Sequence, residues 1–83
     1  MSRLINNQIR VIASSRGQPK RFFWRGKTHQ IHRILEIWLD IGAWWQGEQE
    51  KIFWRLETDT GGIFELYQER EPEQTWVLYK IYD

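Results

Sequence analysis

The sequence predicts an all-β protein of short antiparallel strands. Apolar and polar residues alternate with a period of two over several short runs, and those runs are rich in Val, Ile, Phe, Trp and Tyr. Clusters of Gly, Asp, Asn, Ser and Pro punctuate them. The expected architecture is a small antiparallel barrel or sandwich of about six strands, arranged as two three-stranded meanders joined by one longer connection.

The first run is residues 8–13, where Ile9, Val11 and Ala13 alternate with Gln8, Arg10 and Ile12, and the turn formers of residues 14–19 follow. Residues 20–25 form the next strand, with Phe22 and Trp24 on one face and Phe23 and Arg25 on the other. Gly26 with Lys27 is the expected turn, because glycine takes the positive φ that tight hairpins need. Residues 29–35 return as a third strand. From Ile34 the spacing of Ile34, Leu35, Ile37, Trp38 and Ile41 departs from two, and fits either a short helical turn near 34–41 or a bulged strand. Gly42, Gly47 and the charged residues 48–51 mark the long connection, which carries Trp44 and Trp45.

The second half is more regular. Residues 52–58 place Ile52, Trp54 and Leu56 on one face, and Asp59-Thr60-Gly61-Gly62 turns the chain into residues 63–68. After a polar connection with Pro72, residues 75–82 are apolar or aromatic on both faces, as in a strand covered twice. Two flat meanders would leave open edges, so curling or face-to-face packing is expected.

Composition narrows the class. An 83-residue chain fits a single domain spanning 1–83 and hides only about 60–65% of the surface of its unfolded form. Six Trp, four Phe and three Tyr supply the bulk of its core, each ring burying about 150–250 Å². With no cysteine there is neither a disulfide framework nor a thiolate metal site, which points to a reducing, cytoplasmic setting. No apolar run has the length of a signal peptide core or a membrane span, so no membrane partner is expected.

Nothing in the sequence assembles an active site or a cofactor pocket. His29 and His32 are three apart, which on a strand sends them to opposite faces, so no metal is expected there. Ser14 and Ser15 belong to a turn, and the pair Gly61-Gly62 precedes no helix that would cradle a phosphate. The chain therefore reads as a non-catalytic binding protein.

Two groups of residues are candidates for that binding. Residues 1–35 hold eight cations and no acid, whereas residues 36–83 hold four cations and all eleven acids. Such asymmetry suits a polyanionic partner, but is equally explained by strands of the two halves neutralising one another across a sheet. Within the basic half, Lys20, Arg21, Phe23, Arg25, Lys27 and Arg33 interleave charge with aromatic rings, the chemistry of a single-stranded nucleic-acid site. The plainer reading has Phe22 and Trp24 in the core and the cations on a solvated strand. The second group is Trp44-Trp45: adjacent rings in a loop are either an anchor for a protein partner or a plug over one end of the barrel. Self-association as a weak homodimer through an unpaired edge strand is a third option beside the monomer.

The ordered elements Phe23-Trp24-Arg25-Gly26, Gly42-Ala43-Trp44-Trp45, Trp54-Arg55-Leu56, Gly62-Ile63-Phe64-Glu65-Leu66-Tyr67 and the ending from Trp76 to Asp83 resemble, over nearly the whole chain, a small bacterial family described as a domain of unknown function. The part from 42 to 83 is similar to the C-terminal tail of ImuB-type proteins, polymerase-like accessory factors of mutagenic DNA repair. That second resemblance implies a module that docks onto a repair or replication protein through exposed aromatics such as Trp44 or Trp45. This is the leading expectation, with single-stranded nucleic-acid binding by the basic, aromatic first half as the alternative. The chain departs from those proteins in lacking the polymerase-like body, and the resemblance brings no catalytic residues with it.

Overall fold

The computed structural model describes residues 2–41, 50–69 and 75–82. Six strands follow in chain order: β1 (Ser2–Ala13), β2 (Pro19–Trp24), β3 (Lys27–Asp40), β4 (Lys51–Thr58), β5 (Ile63–Glu69) and β6 (Thr75–Tyr82). Each pairs antiparallel with the next, and β6 pairs back onto β1 to close a barrel.

Two strands turn the corners. β1 pairs with β6 over its first part and with β2 from Arg10 onward. β3 pairs with β2 from Lys27 to Gln30 and with β4 from Ile31 to Asp40. The short β2 therefore forms a three-stranded ribbon with parts of β1 and β3, while β4, β5 and β6 join the remaining parts into a larger sheet. Bending a strand from one sheet to another needs irregularity, and both corner strands have it. In β1 the register shifts between Leu4 and Asn7, where Asn6 takes φ 58°, a conformation Asn tolerates better than most residues.

Of the two readings of residues 34–41, a short helical turn or a bulged strand, the structure has the bulged strand. Residues 34–40 belong to β3, whose register slips twice, between Ile31 and Arg33 and between Ile34 and Glu36. The second slip puts Ile34 and Leu35 side by side against one partner residue and so mimics a helical spacing. A comparable slip hides the strand character of residues 2–7: the irregularity at Asn6 interrupts the alternation. The β2–β3 turn also sits one residue earlier than expected. Trp24 pairs with Lys27, so Arg25 and Gly26 are the two loop residues, with φ 51° and 75°. Two consecutive positive φ values make this the hairpin turn whose twist matches that of its strands.

Alternation sorts the side chains into an interior and an exterior. Phe22, Leu56, Leu66 and Leu78 are fully buried in the barrel core, joined by Trp54, Phe64, Trp76 and Ile81. Removing a leucine of this kind costs about 2–5 kcal/mol, because the cavity left behind adds to the lost transfer energy. The intervening residues Phe53, Tyr67 and Val77 form a second buried cluster with Trp38 and Tyr79. There Trp38 stacks flat on Phe53 at 5.3 Å and Tyr79 meets Phe53 edge-on at 5.4 Å. β6 accordingly supplies Trp76 and Leu78 to one cluster and Val77 and Tyr79 to the other. This is why it is apolar on both faces.

Candidate nucleic-acid interface

The ribbon of β1, β2 and β3 brings together residues far apart in the chain. Its middle row runs Val11, Phe22, His29 across the three strands. Phe22 is fully buried, and His29 stacks on it at 4.9 Å and leans on Phe64, so this row faces the core. The rows on either side must then face outward. One is Arg10, Phe23, Thr28 and the other is Ile12, Arg21, Gln30. The outer face of the ribbon is therefore a half-exposed Phe23 ring with Arg10 beside it on β1 and Arg21 two residues along β2.

The candidate residues divide around this face. Arg21 and Phe23 lie on it. Arg25 stands at its end, on the tip of the hairpin, where its guanidinium lies over the Trp24 ring at 5.1 Å. Lys20 and Lys27 share the parity of Phe22 and Trp24, so they mark the two ends of β2 rather than the outer rows. Arg33 is placed beyond the ribbon, where its Nε donates to Glu57 Oε1 at 2.9 Å across β3 and β4. Trp44 and Trp45 lie outside the described residues. Arg10, Thr28 and Gln30 belong to the face but were not singled out from the sequence. A hairpin register counted from the Arg25-Gly26 turn would have found Thr28 and Gln30, since it pairs Phe23 with Thr28 and Arg21 with Gln30.

Charge pairing distinguishes the ribbon from the rest of the barrel. Three acids of the second half, Glu36, Glu57 and Glu65, are paired within the larger sheet. Arg55 bonds Glu36 at 3.0 Å and the buried Glu65 at 3.2 Å, and Arg33 takes Glu57. Arg10, Arg16, Lys20, Arg21, Arg25 and Lys27 form no ion pair with a described acid. Internal neutralisation thus accounts for Arg33 and leaves the ribbon's cations in place. Asp59 stands at the ribbon's margin, its amide donating to the Gln30 carbonyl at 3.0 Å.

Arg25 adds a conformational signal. A non-glycine residue at φ 51° is strained by about 1–2 kcal/mol, and Asn is the usual occupant of this turn position. An arginine at such a position, with its charge held over an aromatic ring, is not what the turn itself requires.

Among the described residues no group of three or more His, Asp and Glu is placed to hold a metal ion. None of the described residues forms a helix long and apolar enough to cross a membrane.

Fold and face together define a small closed β-barrel with a cationic, aromatic ribbon on its exterior. The chain belongs to the DUF6504 family, a domain of unknown function, whose profile matches residues 1–83. No curated protein and no solved structure matches it.

Proposed function

We propose that the protein is a non-catalytic module that binds single-stranded nucleic acid on the outer face of the β1–β2–β3 ribbon. What carries this reading is the juxtaposition of Phe23 with Arg10 and Arg21, cations that no described acid neutralises. A half-exposed ring offers a stacking surface to a base, worth about 1–3 kcal/mol, and the flanking guanidiniums offer donors to phosphates. Small barrels commonly bind strands on such a face.

The test is a fluorescence-anisotropy titration of labelled single-stranded DNA and RNA at two salt concentrations, with wild type and Arg21→Glu/Arg25→Glu. Binding that falls steeply with salt and is lost in the double variant is the expected result. No binding by the wild type at low salt overturns the reading.

A place beside a repair or replication protein is what the resemblance of residues 42–83 to ImuB-type tails implies, with Trp44 and Trp45 as the anchor. Retention of a candidate partner by wild type and its loss in Trp44→Ala/Trp45→Ala would support that role, and equal retention by both would remove it. A cytoplasmic setting goes with either activity.

A further inference from the structure

The outer face of the ribbon is not symmetric about Phe23. On the β1 side the ring has Arg10 directly across the ladder, and along its own strand it has Arg21. On the β3 side the two outward residues are uncharged: Thr28 lies directly across from Phe23, and Gln30 lies diagonally from it, opposite Arg21. Both are exposed, and neither side chain bonds a described residue. Past β3 stands an acid, Asp59, whose amide donates to the Gln30 carbonyl at 3.0 Å. Charge therefore changes across the ribbon, from positive at β1 and β2 to neutral at β3 and negative beyond it.

We propose, resting on the nucleic-acid reading of this face, that Gln30 with Thr28 reads the edge of a base stacked on Phe23, and that the base preferred there is adenine. A nucleotide carries its phosphate and the hydrogen-bonding edges of its base at opposite ends. Arg10 and Arg21 draw the phosphate to one side of the ring, and Asp59 repels it from the other. A base lying on Phe23 then turns its edge toward β3. Residues directly across an antiparallel ladder have Cβ atoms about 4.5–5.5 Å apart and diagonal ones about 7–8 Å, within reach of a long side chain. The edge of the base thus passes over Thr28 and meets the amide of Gln30.

The chemistry of that amide selects the base. Gln offers an acceptor oxygen beside two N–H donors, so it bonds doubly to an edge that sets a donor next to an acceptor. Adenine presents this arrangement on both of its edges, N6 beside N7 and N6 beside N1, and a single strand leaves both edges free. Guanine, cytosine and thymine present it on one edge only. The hydroxyl of Thr28 donates or accepts, and so supports the contact without choosing among bases.

The test repeats the anisotropy titration with labelled oligo-dA and oligo-dC of one length, for the wild type and Gln30→Leu. Leucine keeps the bulk and removes the amide, while the backbone carbonyl that holds Asp59 stays. The readout is the ratio of oligo-dA to oligo-dC affinity. Self-stacking of oligo-dA weakens its binding to both proteins alike and cancels from the comparison. The ratio is expected to fall about fivefold or more from wild type to Gln30→Leu. The salt dependence and the melting temperature should stay as in the wild type, because no phosphate contact is lost. A ratio that is the same in both proteins overturns base reading by Gln30 and leaves the Phe23 face standing. No binding of either oligonucleotide by the wild type at low salt overturns the face itself, and the role of Gln30 with it.

Discussion

The guanidinium of Arg55 on β4 lies 3.2 Å from the carboxylate of Glu65 on β5, and that carboxylate is sealed in, its side chain only 3% exposed. Tyr82 completes the arrangement, accepting from Arg55 at 3.3 Å and donating to Glu65 at 2.8 Å. The three residues tie β4, β5 and β6 together on the exterior of the barrel. Glu65 is buried only because each of these donors reaches it.

Arg55→Met should therefore destabilise the protein by about 2–4 kcal/mol, since it strands a buried carboxylate. The lower end allows for the part of Arg55 that water reaches. Arg55→Met with Glu65→Leu should recover most of that loss, because replacing both partners removes the unpaired charge. Urea denaturation of the two variants measures this. Equal destabilisation by both would show that packing, not charge, holds the site.

Arg25 offers a separation of stability from binding. Arg25→Asn relieves the left-handed strain of the hairpin turn and should raise stability by about 0.5–1 kcal/mol. The same change should weaken single-stranded nucleic-acid binding and lower the salt slope by about 0.7, the loss of one phosphate contact. Thermal melting and the anisotropy titration read the two effects independently. A loss of stability would mean that the stack on Trp24 outweighs the turn strain.

Neighbouring phenylalanines should behave oppositely. Phe22→Ala empties a fully buried site and should cost about 3–5 kcal/mol of stability. Phe23→Ala, on the outer face, should leave most of the stability intact and cost about 1–3 kcal/mol in binding. Denaturation and titration of both variants check the assignment of faces directly.

Tyr67 gives the barrel an alkaline limit. Burial raises its phenol above the ordinary tyrosine range, and Glu69 and Tyr79 push it further in the same direction. Between the unfolded and folded values the folded protein holds a proton that the unfolded chain has lost, so stability falls as pH rises. The contribution of Tyr67 is complete below about pH 10 and is lost as pH climbs through the raised value. Tyr67→Phe should flatten this part of the stability profile. Denaturant midpoints from neutral to strongly alkaline pH would show it, and an unchanged slope in the variant would assign the effect elsewhere.

Much of this architecture is legible along the chain. The alternation of Ile52, Trp54 and Leu56 with Phe53, Arg55 and Glu57 needs no tertiary information, and neither does the two-faced apolarity of residues 75–82. Period-two patterning arises wherever a strand divides two environments, and it survives in any strand that stays regular. It fails where the backbone slips. At Asn6 and at Ile34-Leu35 one extra residue shifts the alternation, so β1 reads as too short and the end of β3 imitates a helical turn.

The candidate site was legible in part. Arg21, Phe23 and Arg25 declare themselves by composition, because cations interleaved with rings stand out in any short run. Whether a cation is free is a different kind of fact, since Arg33 and Arg21 look alike in the sequence and only the pairing of β3 with β4 gives Arg33 to Glu57. Arg10 joins the face through a strand whose neighbour is set by hairpin register, and its distance along the chain from Phe23 hides the connection. The sequence by itself determined the strand class, the aromatic core and the location of the positive charge, all of which follow from local periodicity and composition. The tertiary structure decided which charges are neutralised, which face Phe23 occupies and which residues of β3 stand beside it, because each depends on what lies across a ladder rather than along the chain.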